Sequence, residues 1–282
     1  MNILICGSSG EVGRDLVYFL SKKNKIYAFS RSQKKIKNKK VITGKIDFSK
    51  KFKFNKKIDL IINCIATHEF SEKKNIYEYL DSNLISIMNI IECFENKKIK
   101  IINLSTISIH SLVNQEYLDE KTEKISSSYL SITKYIGEKI FEDSSLDVIN
   151  LRLPGVLCLN SKQQRPWINI LINKIKNNKN IEIKNLSKKF NSIVDTKEIS
   201  KFIDYIKNKK IINGTYNLAA SKPIKMDKII SIIKKYFYST STITNKGNDK
   251  KSVIIPLNKI NKVMKYRSTS VEKVLKRYMK EF

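Results

Sequence analysis

The short apolar run Asn2–Cys6 (NILIC) leads straight into Gly7-Ser8-Ser9-Gly10-Glu11-Val12-Gly13. A helical pattern follows at once, with Val12, Leu16, Phe19 and Leu20 on one face. Strand, G-x-x-G-x-x-G turn and helix in direct succession allow few folds, because each glycine answers a separate steric demand. The first permits a tight turn out of the strand. The second lets an anionic ligand approach the backbone, and the third lets the helix start close against the sheet. The unpaired first-turn amides and the positive end of the helix then favour a phosphate. Gly7, Ser9, Gly10, Glu11, Val12 and Gly13 are therefore candidates for a dinucleotide-binding turn.

The rest of the chain extends this reading. Ile26–Ser30, Asp59–Ala66, Lys100–Ser105 and Asp147–Leu153 are short apolar runs, separated by helix-length segments at Asn75–Glu95 and Ser127–Asp143. Strands apolar on both faces and alternating with helices predict an α/β fold, a Rossmann-type doubly wound parallel sheet. After Pro154 the pattern loosens. The spacing there predicts helices over Ile168–Asn177, Thr196–Lys207, Met226–Phe237 and Ser270–Tyr278, with short strands at Phe190–Val194 and Thr215–Ala219. Asp195 with Glu198 has capping-box spacing. The expected organisation is a dinucleotide-binding domain over residues 1–158, to which residues 190–220 return, and a smaller C-terminal substrate-binding cap over residues 159–282.

The formal charge of +29 over 282 residues raises nucleic acid as a rival partner. Of 55 basic residues only six are Arg, whereas phosphate and base readers favour the planar Arg fork. The chain also holds 46 Ile and 27 Asn but four Ala, a bias that spreads Lys over tolerant positions. The densest basic stretch, Arg31–Lys57, has no interleaved RNA-binding motif although Phe48, Phe52 and Phe54 fall within it. No specific nucleic-acid partner is expected. No run of 18 apolar residues occurs and MNILICGSSG lacks the features of a signal peptide, so a cytoplasmic protein without membrane attachment is expected. Four dispersed cysteines read as reduced thiols, and two histidines without ligand spacing give no metal site.

The dinucleotide type is read at the end of the second strand, where an acid would hold a ribose 2′-hydroxyl. The residues there are Ser30-Arg31-Ser32. Arg31, with Arg14 and Lys34 near it in sequence, suits a 2′-phosphate, so NADP is preferred and NAD is the other reading.

With these motifs in order, the chain resembles the extended short-chain dehydrogenase/reductase family, the NAD(P)-dependent nucleotide-sugar epimerases, dehydratases and reductases, over residues 1 to about 225. Gly44-Lys45-Ile46-Asp47 matches a G-x-x-D whose acid lies near the adenine, which nominates Asp47 with Phe48 beside it. Asn63-Cys64-Ile65-Ala66 resembles the N-x-A-A that lines the cofactor, and Asn83 matches an Asn on the next helix. Leu104-Ser105-Thr106 nominates Thr106 as the hydroxyl that holds the reacting sugar oxygen. Arg152-Leu153-Pro154-Gly155 resembles the turn beside the nicotinamide, which nominates Pro154. Thr67 and His68 stand where substrate would enter, and Arg165 is a candidate for a nucleotide pyrophosphate. The resemblance also implies a homodimer packed through Asn75–Glu95 and Ser127–Asp143.

The family's catalytic Tyr and Lys stand four residues apart on one helix. Here Lys134 matches the Lys, but the residue four before it is Leu130 and the tyrosine is Tyr129, five before. On a regular helix such a pair diverges by about 140°. An irregular first turn would absorb the extra residue and leave Tyr129 as acid/base, its phenol acidified by Lys134, for proton exchange with a sugar hydroxyl during hydride transfer in a reductase or epimerase that could serve surface polysaccharide synthesis. A regular helix would leave a catalytically altered dinucleotide sensor or regulatory protein of the same fold. No paired acids follow Thr106, which weighs against a dehydratase.

Overall fold

The computed structural model describes residues 1–67, 75–110, 116–122, 126–159, 166–210, 212–247 and 252–281. His68 and Arg165 lie outside the described residues. The strands are β1 (Asn2–Cys6), β2 (Lys25–Ser30), β3 (Val41–Lys45), β4 (Leu60–Asn63), β5 (Lys100–Thr106), β6 (Asp147–Leu153), β7 (Gly155–Leu157), β8 (Ile181–Ile183), β9 (Lys189–Phe190), β10 (Ile193–Asp195), β11 (Gly214–Asn217), β12 (Ile224–Lys225) and β13 (Ile243–Asn245). The helices are α1 (Glu11–Leu20), α2 (Ile76–Leu80), α3 (Ser86–Phe94), α4 (Tyr129–Asp143), α5 (Trp167–Lys176), α6 (Thr196–Ile206), α7 (Met226–Phe237), α8 (Asn258–Val263) and α9 (Val271–Tyr278).

The chain divides into two compact units, Met1–Leu112 with Thr122–Arg152 and Ser200–Tyr216, and Val113–Lys121 with Leu153–Ile199 and Asn217–Phe282. The first is built on a seven-stranded sheet in the order β11-β6-β5-β4-β1-β2-β3. It is a parallel, Rossmann-type sheet, and its strand order reverses between β1 and β4. The central strands are apolar on both faces because helices cover both. Leu4, Cys6, Ile61 and Ile101 pack with Ile87, Ile90 and Phe94 of α3 and Phe141 of α4. Residues alternate across a strand, so Ile3 and Ile5 point to the other face, and both are fully buried. There α1 runs back along β1 and β2.

The second unit has its own core, in which Ile168, Ile172 and Ile175 of α5 meet Ile229, Ile230 and Ile233 of α7 and Val274 and Leu275 of α9. Three two-stranded sheets, β10-β7, β12-β9 and β13-β8, edge it. The Asp195 carboxylate caps α6 through the Glu198 amide at 2.8 Å, and the Arg277 guanidinium clasps the same carboxylate at 2.6 Å through both Nε and Nη2.

Three features depart from the sequence reading. β3, which runs into the G-x-x-D motif, was not expected, α8 and the short strands of the second unit have no alternating signature, and the expected helix Asn75–Glu95 is not continuous. It contains a π-helical turn, Asp81–Ile85, between α2 and α3. A π turn inserts one residue and rotates everything after it, a distortion often found at functional sites.

Candidate functional site

A cleft of about 240 Å³ opens at the C-terminal ends of β1, β2 and β4, and its floor is the glycine turn. Gly7 has φ +81°, and a Cβ there would sit 3.0 Å from the Cys64 carbonyl carbon and the Ile65 amide nitrogen. A Cβ on Gly13 would overlap the Gly7 carbonyl oxygen and lie 2.8 Å from Ser8 Cα. Gly7 and Gly13 are therefore required by the close approach of turn, β4 end and helix start, whereas a Cβ on Gly10 would make only an ordinary contact with the Gly7 carbonyl oxygen. Beyond the turn, Ser8 Oγ donates to Gln33 Oε1 at 2.5 Å and Ser9 Oγ lies 3.3 Å from Ser32 Oγ, which ties the glycine turn to the loop after β2.

Most of the residues nominated for the dinucleotide meet in this one cleft: Gly7, Ser9, Gly10, Arg31, Asp47, Phe48, Cys64, Ile65 and Ala66, and with them Thr67. Glu11, Val12 and Gly13 form the first turn of α1 behind it. Asn83 does not line the cleft but supports it: its Oδ1 accepts the Thr67 amide at 3.2 Å and its Nδ2 donates to Thr133 Oγ1 at 2.9 Å. The π turn makes this possible. It keeps Asn83 buried between β4 and α4 while Asp81 and Ser82 face the cleft. Glu78, Asp81, Ser82 and Ser86 on this wall, and Ser32 and Ser49 opposite, were not found by sequence reasoning, because nothing in the sequence marks a π turn. Arg14 and Lys34 are exposed and outside the cleft lining, so Arg31 stands without the helpers expected for it. Pro154 belongs to the second unit.

The electrostatics are uneven along the cleft. Partial burial would raise the Asp47 carboxyl. The Ser49 hydroxyl and amide and the nearby Arg31 and Lys50 outweigh it and hold the group below its ordinary range. Burial pushes the Cys64 thiol up to about 12 against the pull of Lys134. Lys134 is 4% exposed. Burial draws its ammonium down to about 8, opposed by Cys64 and Glu138. Its Nζ donates to the Ile65 carbonyl at 3.0 Å and the Leu104 carbonyl at 3.2 Å, so two of its three protons are held at the ends of β4 and β5.

Tyr129 is not on this face. Helix α4 is regular from its first residue: the Ser128 hydroxyl caps the Ser131 amide at 3.2 Å, and the Ile132 amide reaches the Ser128 carbonyl at 3.0 Å. The irregular first turn that would absorb the extra residue is absent. With the spacing of three and four that defines a helical stripe, Tyr129 lines up with Ile132 and Ile136, all exposed, and its 52% exposed ring leans on Tyr79 with centroids 5.9 Å apart. Leu130, 4% exposed, occupies the position one turn before Lys134. Thr106 ends β5 half-buried, its Oγ1 accepting the Ser108 amide at 3.0 Å, which leaves its hydroxyl proton free to donate. Among the described residues no group of three or more His, Cys, Asp or Glu could hold a metal ion, and no helix is long and apolar enough to cross a membrane.

The fit to a dinucleotide is a matter of the cleft's own shape: backbone where a Cβ would intrude, helix-start amides below, and hydroxyls and an acid along the walls. Comparison with known proteins agrees with that shape. Residues 3–219 match the model of the NAD dependent epimerase/dehydratase family. No curated protein matches by sequence. Among solved structures the chain is similar to UDP-glucuronic acid 4-epimerase from Bacillus cereus in complex with NAD, at 17% identity over 100% of this chain and 99% of that one, with a TM-score of 0.78. It is similar to the Bordetella bronchiseptica enzyme WbmG in complex with NAD and UDP, at 12% identity over 99% and 94%, TM-score 0.77. It is also similar to UDP-N-acetylglucosamine 4-epimerase from Methanobrevibacter ruminantium M1 in complex with UDP-N-acetylmuramic acid, at 19% identity over 100% and 97%, TM-score 0.77. At these identities the likeness speaks for the fold, and the family match carries the membership: this chain belongs to the NAD-dependent epimerase/dehydratase family.

Proposed function

We propose that the protein is an NAD-dependent epimerase of a nucleotide-linked sugar, with the dinucleotide held in the cleft between Gly7 and Thr67. The observation that carries this reading is the convergence of the glycine turn, Asp47 and the β4 end on one cavity, with the Lys134 ammonium bonded to the carbonyl of Ile65, one of the residues that line it. NAD, when bound, supplies a reversible acceptor for hydride. The chain's own residues do the rest. Gly7 and Gly10 admit the pyrophosphate, and Asp47 meets the adenosine end. The third Lys134 proton is available to a ribose hydroxyl, and Thr106 donates to the sugar oxygen. Arg31 remains the residue for a 2′-phosphate, but its closeness to Asp47 offsets its charge, and the reading therefore moves from NADP to NAD.

In this reading Tyr129 is the acid/base. It is the first residue of α4, so opening a single capped turn at Ser128 would release its ring from Tyr79. A second reading, a dinucleotide-binding regulatory protein without turnover, is favoured by one observation: Leu130 and not Tyr129 shares the face of Lys134. The deciding experiment is NAD titration followed by chromatography of UDP-sugars incubated with the protein. Absence of NAD binding sinks both readings; binding without any epimerised product across a panel of UDP-sugars leaves the second.

The exposed Ile132 and Ile136 on α4, with Tyr77 and Met88 on the neighbouring helices, support a homodimer through this face. Ile136→Glu should convert a dimer into a monomer in light scattering, and a monomeric wild type would refute the assignment. The second unit is read as the cap that takes the nucleotide-linked sugar.

A further inference from the structure

Three asparagines stand side by side across the sheet of the first unit: Asn63 on β4, Asn103 on β5 and Asn150 on β6, all fully buried. Asn63 and Asn103 are direct partners in the β4–β5 register, and the two rungs before them are the apolar pairs Ile61–Ile101 and Ile62–Ile102. A buried amide is costly unless both of its ends are paired, and isoleucine would fill the same rung without that demand.

The amides pair with one another and with the site. Asn63 Nδ2 donates to Asn103 Oδ1 at 3.0 Å, and Asn103 Nδ2 to Asn150 Oδ1 at 2.8 Å. Asn150 Nδ2 donates to the Glu138 carbonyl at 3.2 Å and to Glu142 Oε1 at 3.4 Å, both on α4. At the other end Asn63 Oδ1 accepts the Ile65 amide at 3.2 Å, and the Ile65 carbonyl accepts Lys134 Nζ at 3.0 Å. Lys134 and Glu138 are one turn apart on α4. The bonds therefore close a ring that runs from Lys134 through Ile65, Asn63, Asn103 and Asn150 to Glu138 and back along one helical turn. Arg152 clamps the same turn from the side through Nη2 to Glu138 Oε2 at 2.8 Å.

We infer that Asn103 and Asn150 are positioning residues, which fix the distance between the end of β4 and helix α4 and thereby hold the Lys134 ammonium on the carbonyl of Ile65, a residue that lines the cleft. Neither touches the cleft. Their effect passes through Ile65 and Glu138. The place of Lys134 follows from the hydrogen bonds alone; the consequence for NAD rests on the function proposed above.

The test is the titration of Lys134 in the ligand-free protein, read by NMR on protein carrying 13Cε-lysine, with its resonance identified by its loss in Lys134→Arg. Cys64 and Glu138 are the titratable groups that face it. Asn103→Leu keeps the volume and removes the bonds; Asn150→Ser is the milder variant should the first fail to fold. Ile102→Ala, on the opposite face of β5, is the control for lost stability. In Asn103→Leu and Asn150→Ser the lysine midpoint should fall, because the ammonium loses one of its two acceptors in a dry site. NAD affinity should fall about tenfold, the value of one hydrogen bond to a charged group. Ile102→Ala should lower Tm and move neither. A lysine midpoint unchanged or raised in the folded asparagine variants overturns the inference. If the wild type does not bind NAD, the proposed function fails while the titration still decides the role of the ladder.

Discussion

The glycine-turn side of the cleft and helix α4, tied to it through the Ile65 carbonyl, obey the family pattern to different degrees. On the β1–β4 wall every close approach is enforced by backbone: Gly7 faces the Cys64 and Ile65 peptide, and Gly13 faces Gly7 itself. A single added methyl would disrupt it. On α4, which contributes no residue to the cleft lining, Lys134 is fixed by two carbonyls, yet the tyrosine five residues earlier has turned to the outer stripe and Leu130 has taken its face. Under the proposed function, cofactor holding and acid–base chemistry would thus be separable here. The first depends on backbone geometry that few sequences can supply. The second depends on the phase of one helix, which a single inserted residue rotates.

The sharpest break between the two would come from Tyr129→Phe. If Tyr129 is the acid/base, turnover of the UDP-sugar should fall roughly a thousandfold, within the usual range for such groups, while NAD affinity stays within about twofold. If activity survives, the tyrosine belongs to the outer stripe only, and Leu130→Tyr, which restores the four-residue spacing, should raise turnover of the UDP-sugar instead. The reverse separation should come from Gly13→Val. Its Cβ would overlap the Gly7 carbonyl oxygen, and calorimetry should record a loss of NAD affinity of about a hundredfold or more, roughly 3 kcal/mol.

A third prediction concerns pH. The Lys134 ammonium titrates near 8 in the folded protein, against 10.5 for the ordinary group. Between those values the unfolded chain binds the extra proton, so folding stability should rise with pH through this window, by at most about 3 kcal/mol. Below pH 8 the penalty for the buried charge is present in full. Lys134→Met should lack the rise, and chemical denaturation at pH 7.5 and pH 10 would measure the difference. The smallest effect is expected at Arg31. With Asp47 beside it, Arg31→Ala should change NAD affinity only roughly threefold and weaken any NADP binding more, because it loses a bond to the phosphate. A large loss for NAD would mean that Asp47 does not offset the guanidinium.

Much of the β1–β4 wall was legible because its constraints are local in the chain. A strand, three glycines and a helix start must be written consecutively, and they are. Asp47 and Lys134 stood in short recognisable contexts. The π turn at Asp81–Ile85 was not legible: nothing in Asp-Ser-Asn-Leu-Ile marks it, and it shows only in the backbone bond from the Ser86 amide to the Asp81 carbonyl and in the packing of Asn83 between Thr67 and Thr133. The asparagine ladder was equally hidden, since Asn63, Asn103 and Asn150 are separated by about forty residues each and look like three of many asparagines.

The charge of +29 shows the same division. As a total it says little about the fold, whereas individual cations at Arg31, Lys134 and Arg152 acquire meaning from what they face. By itself the sequence determined the glycine turn and the parallel sheet with covering helices, because each follows from spacing along one segment. The tertiary structure decided the face of Tyr129. Ser126, Ser127 and Ser128 could each have capped α4, and each would have given the tyrosine a different start. Contacts made far away in the chain chose among them: Ser131 donates to the Ser108 carbonyl at 2.5 Å, the regular helix begins at Tyr129, and its phase carries the ring to the outside.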